Sequence, residues 1–185
     1  TLLPDISVSK TASAASLVVG GSGQSYTVVG RNNGRAIANQ VFNTSQATDA
    51  LATALAAPTL AIADTLPVGI TVGTVTPTTP AIWTCVPAGG GTTFTCTSTA
   101  AVYPLAAATD IVTITAPSTV AATACPGPNT NSAAISTPTG DTTVANNTGT
   151  VVTTANCAAD LTVTKTDGVT NVISGLTTVY TLTFT

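Results

Sequence analysis

The chain has 185 residues, 44% of them hydrophobic, and a net charge of −3 from only four basic and seven acidic groups. Lys10, Arg31, Arg35 and Lys165 are too few to neutralise a phosphate backbone, so nucleic acid is excluded as a partner. No run of about 18 apolar residues offers a membrane span, and no basic segment followed by an apolar one reads as a signal peptide. If the protein is exported, Thr1 lies after the cleavage site.

Charged residues make up 6% of the chain, and His, Glu and Met are absent. Thr, Ala and Val are the commonest residues, and β-branched side chains suit a pleated surface better than a helix. The chain reads as all-β.

In chain order, Asp5–Lys10 alternates as the first strand, with Ile6, Val8 and Lys10 sharing one parity. Lys10 at the strand's end is expected to lay its stem on the core rim and lift its ammonium to water. The sharper alternative is an intramolecular isopeptide bond to an Asn or Asp, for Lys10 and equally for Lys165. With Glu absent, such a site would have to draw its acid from an Asp. Leu17–Gly23 and Gln24–Val29 follow as strands, then the turn GRNNGRA (30–36), whose two arginines read as solvated loop charges. Ile37–Phe42 starts another strand. Alternation fails over 43–63, where Thr48–Ala57 reads as a short capped helix stopped by Pro58, either a decorated loop or an apolar contact patch.

Beyond the insertion come ADTLPVGITVGTVTP (63–77) and a hairpin over 82–98 with Trp83 as core anchor. Asp110–Ala116 is a strand, and Asn131–Ser136 with Thr148–Thr154 forms a closing pair. Asp64, Asp110 and Asp141 sit in turn-like contexts where carboxylates cap backbone N–H groups. Asp141, Asn146 and Asn147 could supply oxygens to Ca²⁺, but one carboxylate makes a weak site, and turn chemistry is the preferred reading. Neither a metal nor any other cofactor is expected.

Four cysteines suggest export. Cys85 and Cys96 flank a Gly-rich turn, and Cys125 and Cys157 bracket two strands that fold back on each other. Both pairings are geometrically easy and the spacings fit no zinc pattern, so two disulfides in an extracellular setting are expected. Asn43 and Asn146 head Asn-x-Ser/Thr sequons, candidate glycosylation sites.

The last stretch repeats the first. Asp160–Thr185 carries two alternating segments, LTVTK and VYTLTFT, and Asp160, Lys165, Thr166 and Tyr180 match Asp5, Lys10, Thr11 and Tyr26. One unit over 1–159 is therefore followed at 160–185 by the opening strands of a second. Two strands alone are marginal in water, so Asp160, Leu161, Val163, Lys165, Val179, Tyr180, Leu182 and Phe184 are expected to link to something else.

DISVSKT (5–11), NNG (32–34), DTLPVGI (64–70), WTC (83–85) and ANNT (145–148), with DLTVTKT (160–166), resemble the Ig-like conserved-repeat modules of large bacterial and archaeal surface proteins, the family called domain of unknown function eleven. The resemblance implies an Ig-like antiparallel β-sandwich in tandem arrays on cell surfaces, without enzymatic activity or a known ligand. In a prokaryotic export product the two sequons are usually left bare. The insertion at 43–63 departs from the pattern.

Together these features lead to an expectation of a non-enzymatic extracellular subunit that polymerises with copies of itself, head-to-tail, by strand complementation through 160–185. The alternative is a tandem-repeat stalk or adhesin module of a larger surface protein.

Overall fold

The computed structural model describes residues 5–34, 59–87, 90–99, 105–136, 141, 143–157 and 161–185. Alternation decides the architecture. In β1 (Ile6–Ala12) the inward positions are Ile6, Val8 and Lys10, and in β3 (Ser25–Asn32) they are Tyr26, Val28, Gly30 and Asn32. The remaining strands of the main body are β2 (Ser16–Val18), β4 (Ala61–Thr65), β5 (Ile70–Val72), β6 (Thr76–Pro77), β7 (Trp83–Val86), β8 (Thr93–Ser98), β9 (Thr109–Val120), β10 (Asn129–Ile135) and β11 (Thr148–Asn156).

These strands form two facing sheets. One runs β1-β3-β9-β5, with β6 also on β9; the other runs β2-β11-β10-β4-β8-β7. All pairs are antiparallel except β2 with β11. The protein is thus an all-β, Ig-like antiparallel sandwich. Ile6, Val28, Ile62, Ile70, Trp83, Phe94 and Ile114 fill the space between the sheets, each contributing about 1.5–3 kcal/mol by leaving water.

Several expected boundaries shift. β3 continues to Asn32 through a bulge at Gly30/Arg31, because it stays paired with β9. β9 spans 12 residues and takes in Asp110, which is a strand residue and not a turn cap. The strand expected over 17–23 shrinks to Ser16–Val18, since Gly20 and Gly23 adopt positive φ and turn the chain. Ala61–Ala63, expected to close the insertion, already pair in β4. The expected helix Thr48–Ala57, the strand 37–42, and Arg35, Asn43 and Asp160 lie outside the described residues.

Cys85 and Cys96 are direct cross-strand partners, bonded with a Cα–Cα distance of 3.9 Å. Cys125 and Cys157 are bonded across 5.9 Å, tying the entry of β10 to the exit of β11.

β12 (Val163–Thr166) and β13 (Thr181–Phe184) make a separate two-stranded sheet. Its register repeats that of β1 and β3. Lys10 pairs with Val28 and Lys165 with Leu182; Val8 pairs with Gly30 and Val163 with Phe184. Tyr26 and Tyr180 each stand two residues before the lysine's partner. Whereas the first pair faces a core, Leu161, Val163, Tyr180, Leu182 and Phe184 are exposed.

Candidate functional site

Between the sheets lies a polar cluster in an otherwise apolar core. Lys10 Nζ donates to Asp64 Oδ2, and both side chains are fully out of solvent. The expectation of a solvated ammonium at the core rim is therefore corrected. Lys10 has the parity of Ile6 and Val8, and the facing sheet covers the end of β1. Asp64 is likewise no turn residue: in β4 it shares the inward face with Ile62.

The same chamber holds Asn131, Tyr26 and Thr153. Asp64 faces Ala133 across the β4–β10 pair, which sets Asn131 one inward position further along β10. Such diagonal neighbours lie roughly 7–8 Å apart, within reach of one another's side chains. Lys10 and Tyr26 form the matching diagonal on β1 and β3, with the ammonium 5.0 Å from the ring centroid. The Tyr26 hydroxyl meets Thr153 Oγ1 at 3.2 Å, and a looser polar approach from the Asn131 side chain also acts to lower its pKa. β1 packs across the sandwich against β11 and β10. Because β10 separates β11 from β4, Lys10 reaches over the strand that carries Asn131 to touch Asp64.

The electrostatics push both ionic partners toward neutrality. Burial lowers the Lys10 pKa from its ordinary value and raises that of Asp64; the attraction between the two opposes each shift but is the smaller effect. Burial also raises the Tyr26 pKa, keeping its phenol protonated. Asp64 Oδ1 and both amide atoms of Asn131 make no well-formed hydrogen bond among the described residues, a rare and costly condition for buried polar atoms.

Asn131 and Thr153 are the two members of this cluster that the sequence expectations do not include. The available signal was parity: Asn129 and Asn131 alternate in step with Ala133 and Ile135, all four buried. Lys165 and Tyr180 repeat the first two members, the ammonium 4.1 Å from the ring centroid. Both are exposed, and no described residue brings them an acid or an amide.

The other candidates have local roles. Arg31 Nη1 bonds Asp110 Oδ1 at 2.7 Å and its Nη2 bonds the Ala108 carbonyl at 2.7 Å, so this arginine braces the β3–β9 end. Asp141 accepts from Thr143 N, Ile6 N and Asn147 Nδ2, which is turn and strand-entry chemistry. Asn146 Nδ2 donates to Asp5 Oδ1 at 2.7 Å, which holds the sequon's amide against the entry of β1. Among the described residues no group of three His, Cys, Asp or Glu side chains could hold a metal ion. A shallow groove of about 450 Å³ beside Gly21, Gln24, Gly73 and Thr115 has no ionisable side chain in its lining. No described helix is long and apolar enough to cross a membrane.

No family model matches the chain, and comparison with curated proteins finds no match in sequence. Among solved structures the chain is similar to the CARDB domain of a Pyrococcus furiosus protein in complex with di-metal ions, at 12% identity and TM-score 0.43, over 83% of this chain and 90% of that one. It is similar to the major pilin SpaD of Corynebacterium diphtheriae at 11% identity and TM-score 0.45, over 82% of this chain and 33% of the pilin. It is also similar to the C-terminal domain of the Streptococcus agalactiae AgI/II polypeptide BspA, at 14% identity and TM-score 0.43, over 89% of this chain and 53% of that one. The chain spans only part of the last two. At such identities the likeness is one of fold.

Proposed function

We propose that the protein is a non-enzymatic architectural module of an extracellular or cell-surface assembly, linked to a second sandwich through residues 160–185. The observation that carries this reading is the β12–β13 pair, which repeats the β1–β3 register while presenting Leu161, Val163, Tyr180, Leu182 and Phe184 to solvent. A strand pair with an uncovered apolar face needs further strands to bury it. Two disulfides support an oxidising location, and the neutral, Thr-rich surface suits a structural role.

The covering strands belong to a second unit of the same type, which favours a tandem stalk. In a copy of this chain the equivalent places are already filled by its own β1 and β3, so a copy offers 160–185 a sheet edge and no vacancy. A head-to-tail filament is the second reading, favoured by β7, which pairs only with β8 and leaves one edge open among the described strands.

Negative-stain electron microscopy of the native exported material tests this. Sandwiches joined end to end as beads, with 160–185 protected from proteolysis, are expected. Isolated single sandwiches with that segment freely cleaved would sink the proposal, and regular filaments lost on deleting 160–185 would select the second reading.

A further inference from the structure

We propose that Lys10 and Asn131 are joined by an intramolecular isopeptide bond, formed without any added factor and assisted by Asp64. In the reaction the Lys10 amine attacks Asn131 Cγ. A new Nζ–Cγ amide forms, the Cγ–Nδ2 bond breaks, and Nδ2 departs as ammonia. No oxidant, reductant or water is consumed. Asp64 in its acid form donates a hydrogen bond to Asn131 Oδ1, polarising the carbonyl. It takes a proton from the attacking amine and returns one to the leaving nitrogen.

Three features of the chamber carry the inference. The first is placement. Lys10 crosses above β10 to reach Asp64, and Asp64 and Asn131 are diagonal neighbours on the facing sheet, so nucleophile, acid and carboxamide converge from β1, β4 and β10. The second is the unmet polar capacity. Asn131 is wholly buried and neither amide atom makes a well-formed hydrogen bond, its polar approach being to the Tyr26 hydroxyl, and Asp64 keeps one oxygen without a hydrogen bond. A buried carboxamide without a well-formed hydrogen bond calls for an explanation, and one whose oxygen awaits the Asp64 proton supplies it. The third is the protonation state. Attack requires a neutral amine and a protonated acid. Moving one proton along the existing Lys10–Asp64 hydrogen bond makes both at once, in the direction in which burial drives each group. The Tyr26 ring and the surrounding core close the chamber to water, which keeps that amine unprotonated.

Lys165 supplies an internal control. It repeats the placement of Lys10 over a tyrosine, but no described residue brings it an acid or an amide, so one cross-link is expected in this chain.

The test is mass spectrometry of the folded chain after reduction and alkylation. The expected intact mass is lower than the sequence mass by one ammonia. Trypsin then fails at Lys10 and cuts at Arg31, Arg35 and Lys165, giving residues 1–31 joined to residues 36–165 as one branched peptide. Asn131→Ala and Asp64→Asn chains keep the full sequence mass and are cut at Lys10. An unmodified wild-type mass with a free 1–10 peptide overturns the proposal. Loss of water with Lys10 joined to Asp64 overturns the assignment to Asn131. Loss of ammonia with normal cleavage at Lys10, the mark of a cyclised asparagine, overturns it as well. The wild-type peptide map decides the matter even if a variant fails to fold.

Discussion

Lys10 on the first strand and Asp64 on the fourth meet Nζ to Oδ2 in a chamber that admits solvent to neither side chain. Taking two charges out of water costs several kcal/mol per ion, and their attraction offsets this only when the geometry is good and the remaining valences are met. Here Asp64 Oδ1 and the Asn131 amide are not met. A core built for stability alone would be better served by apolar side chains of the same volume.

Removing one partner leaves the other stranded. In an Asn131→Ala chain, where no amide ties up Lys10, adding Asp64→Ala or Lys10→Ala should each destabilise the sandwich by about 3–5 kcal/mol, read as a shift of the urea unfolding midpoint at unchanged slope. A loss below about 1 kcal/mol would mean that the pair is solvated in solution.

Where no amide can form, as in an Asn131→Ala chain, the pair should impose an unusual pH dependence. The folded pKa of Asp64 lies above its ordinary 3.8, so its contribution is fully present below that value and is lost as pH rises through the folded pKa. The folded pKa of Lys10 lies below 10.5, so the unfolded chain binds more protons between the two values and stability rises with pH across that window. Stability measured by denaturant titration should therefore pass through a minimum between the two windows. The Asp64→Asn change should remove the acid limb.

Gly69 adopts φ +80°, and a Cβ there would sit 2.4 Å from Ala124 N and 2.7 Å from Thr123 Oγ1. Backbone atoms cannot yield as a flexible side-chain tip can. Gly69→Ala should cost about 1–3 kcal/mol, visible as a lower Tm in calorimetry. Gly90→Ala, at φ +82° with no atom within 4 Å of its Cβ, isolates the conformational part of that cost.

The two disulfides should differ in weight. Loop closure over a separation of 32 residues predicts about 4 kcal/mol for Cys125–Cys157, against about 3 kcal/mol over 11 residues for Cys85–Cys96. Paired Cys→Ser replacements compared by thermal unfolding check the order.

Ending the chain at residue 159 should leave the sandwich's unfolding free energy within about 0.5 kcal/mol of the full chain, because β12 and β13 form a sheet of their own. Solubility should rise as the exposed apolar face is lost. A large loss of stability would mean that the segment packs on the first sandwich.

Most strands were legible because a sandwich writes its layers as period-two alternation, and Ile6/Val8, Ile62 and Ala133/Ile135 follow it. The cysteine pairs were legible for the same reason, since each flanks strands that fold back on one another. The site was half legible. Parity put Lys10 inward, but side-chain character argued for solvent, and only the facing sheet decides between them. Asp64 and Asn131 belong to strands far apart in the chain. Their proximity to Lys10 depends on the order β11-β10-β4, a long-range pairing that no local pattern encodes. Gly-rich turns were easier to place than to bound: Arg31 and Asn32 stay in β3 because β9 continues to pair with them.

The Cys125–Cys157 bond has a mechanical meaning. Tension applied from the 161–185 side enters the sandwich at Cys157 and crosses the sulfur bridge to Cys125, so the whole β10–β11 hairpin is relieved of load. With Lys10 bonded to Asn131, force arriving from the opposite end would pass from β1 directly to β10. The short segment 125–131 would then be the only stretch of backbone between the two bridges under strain, and the module would behave under pulling as an inextensible link while its remaining strands stayed slack.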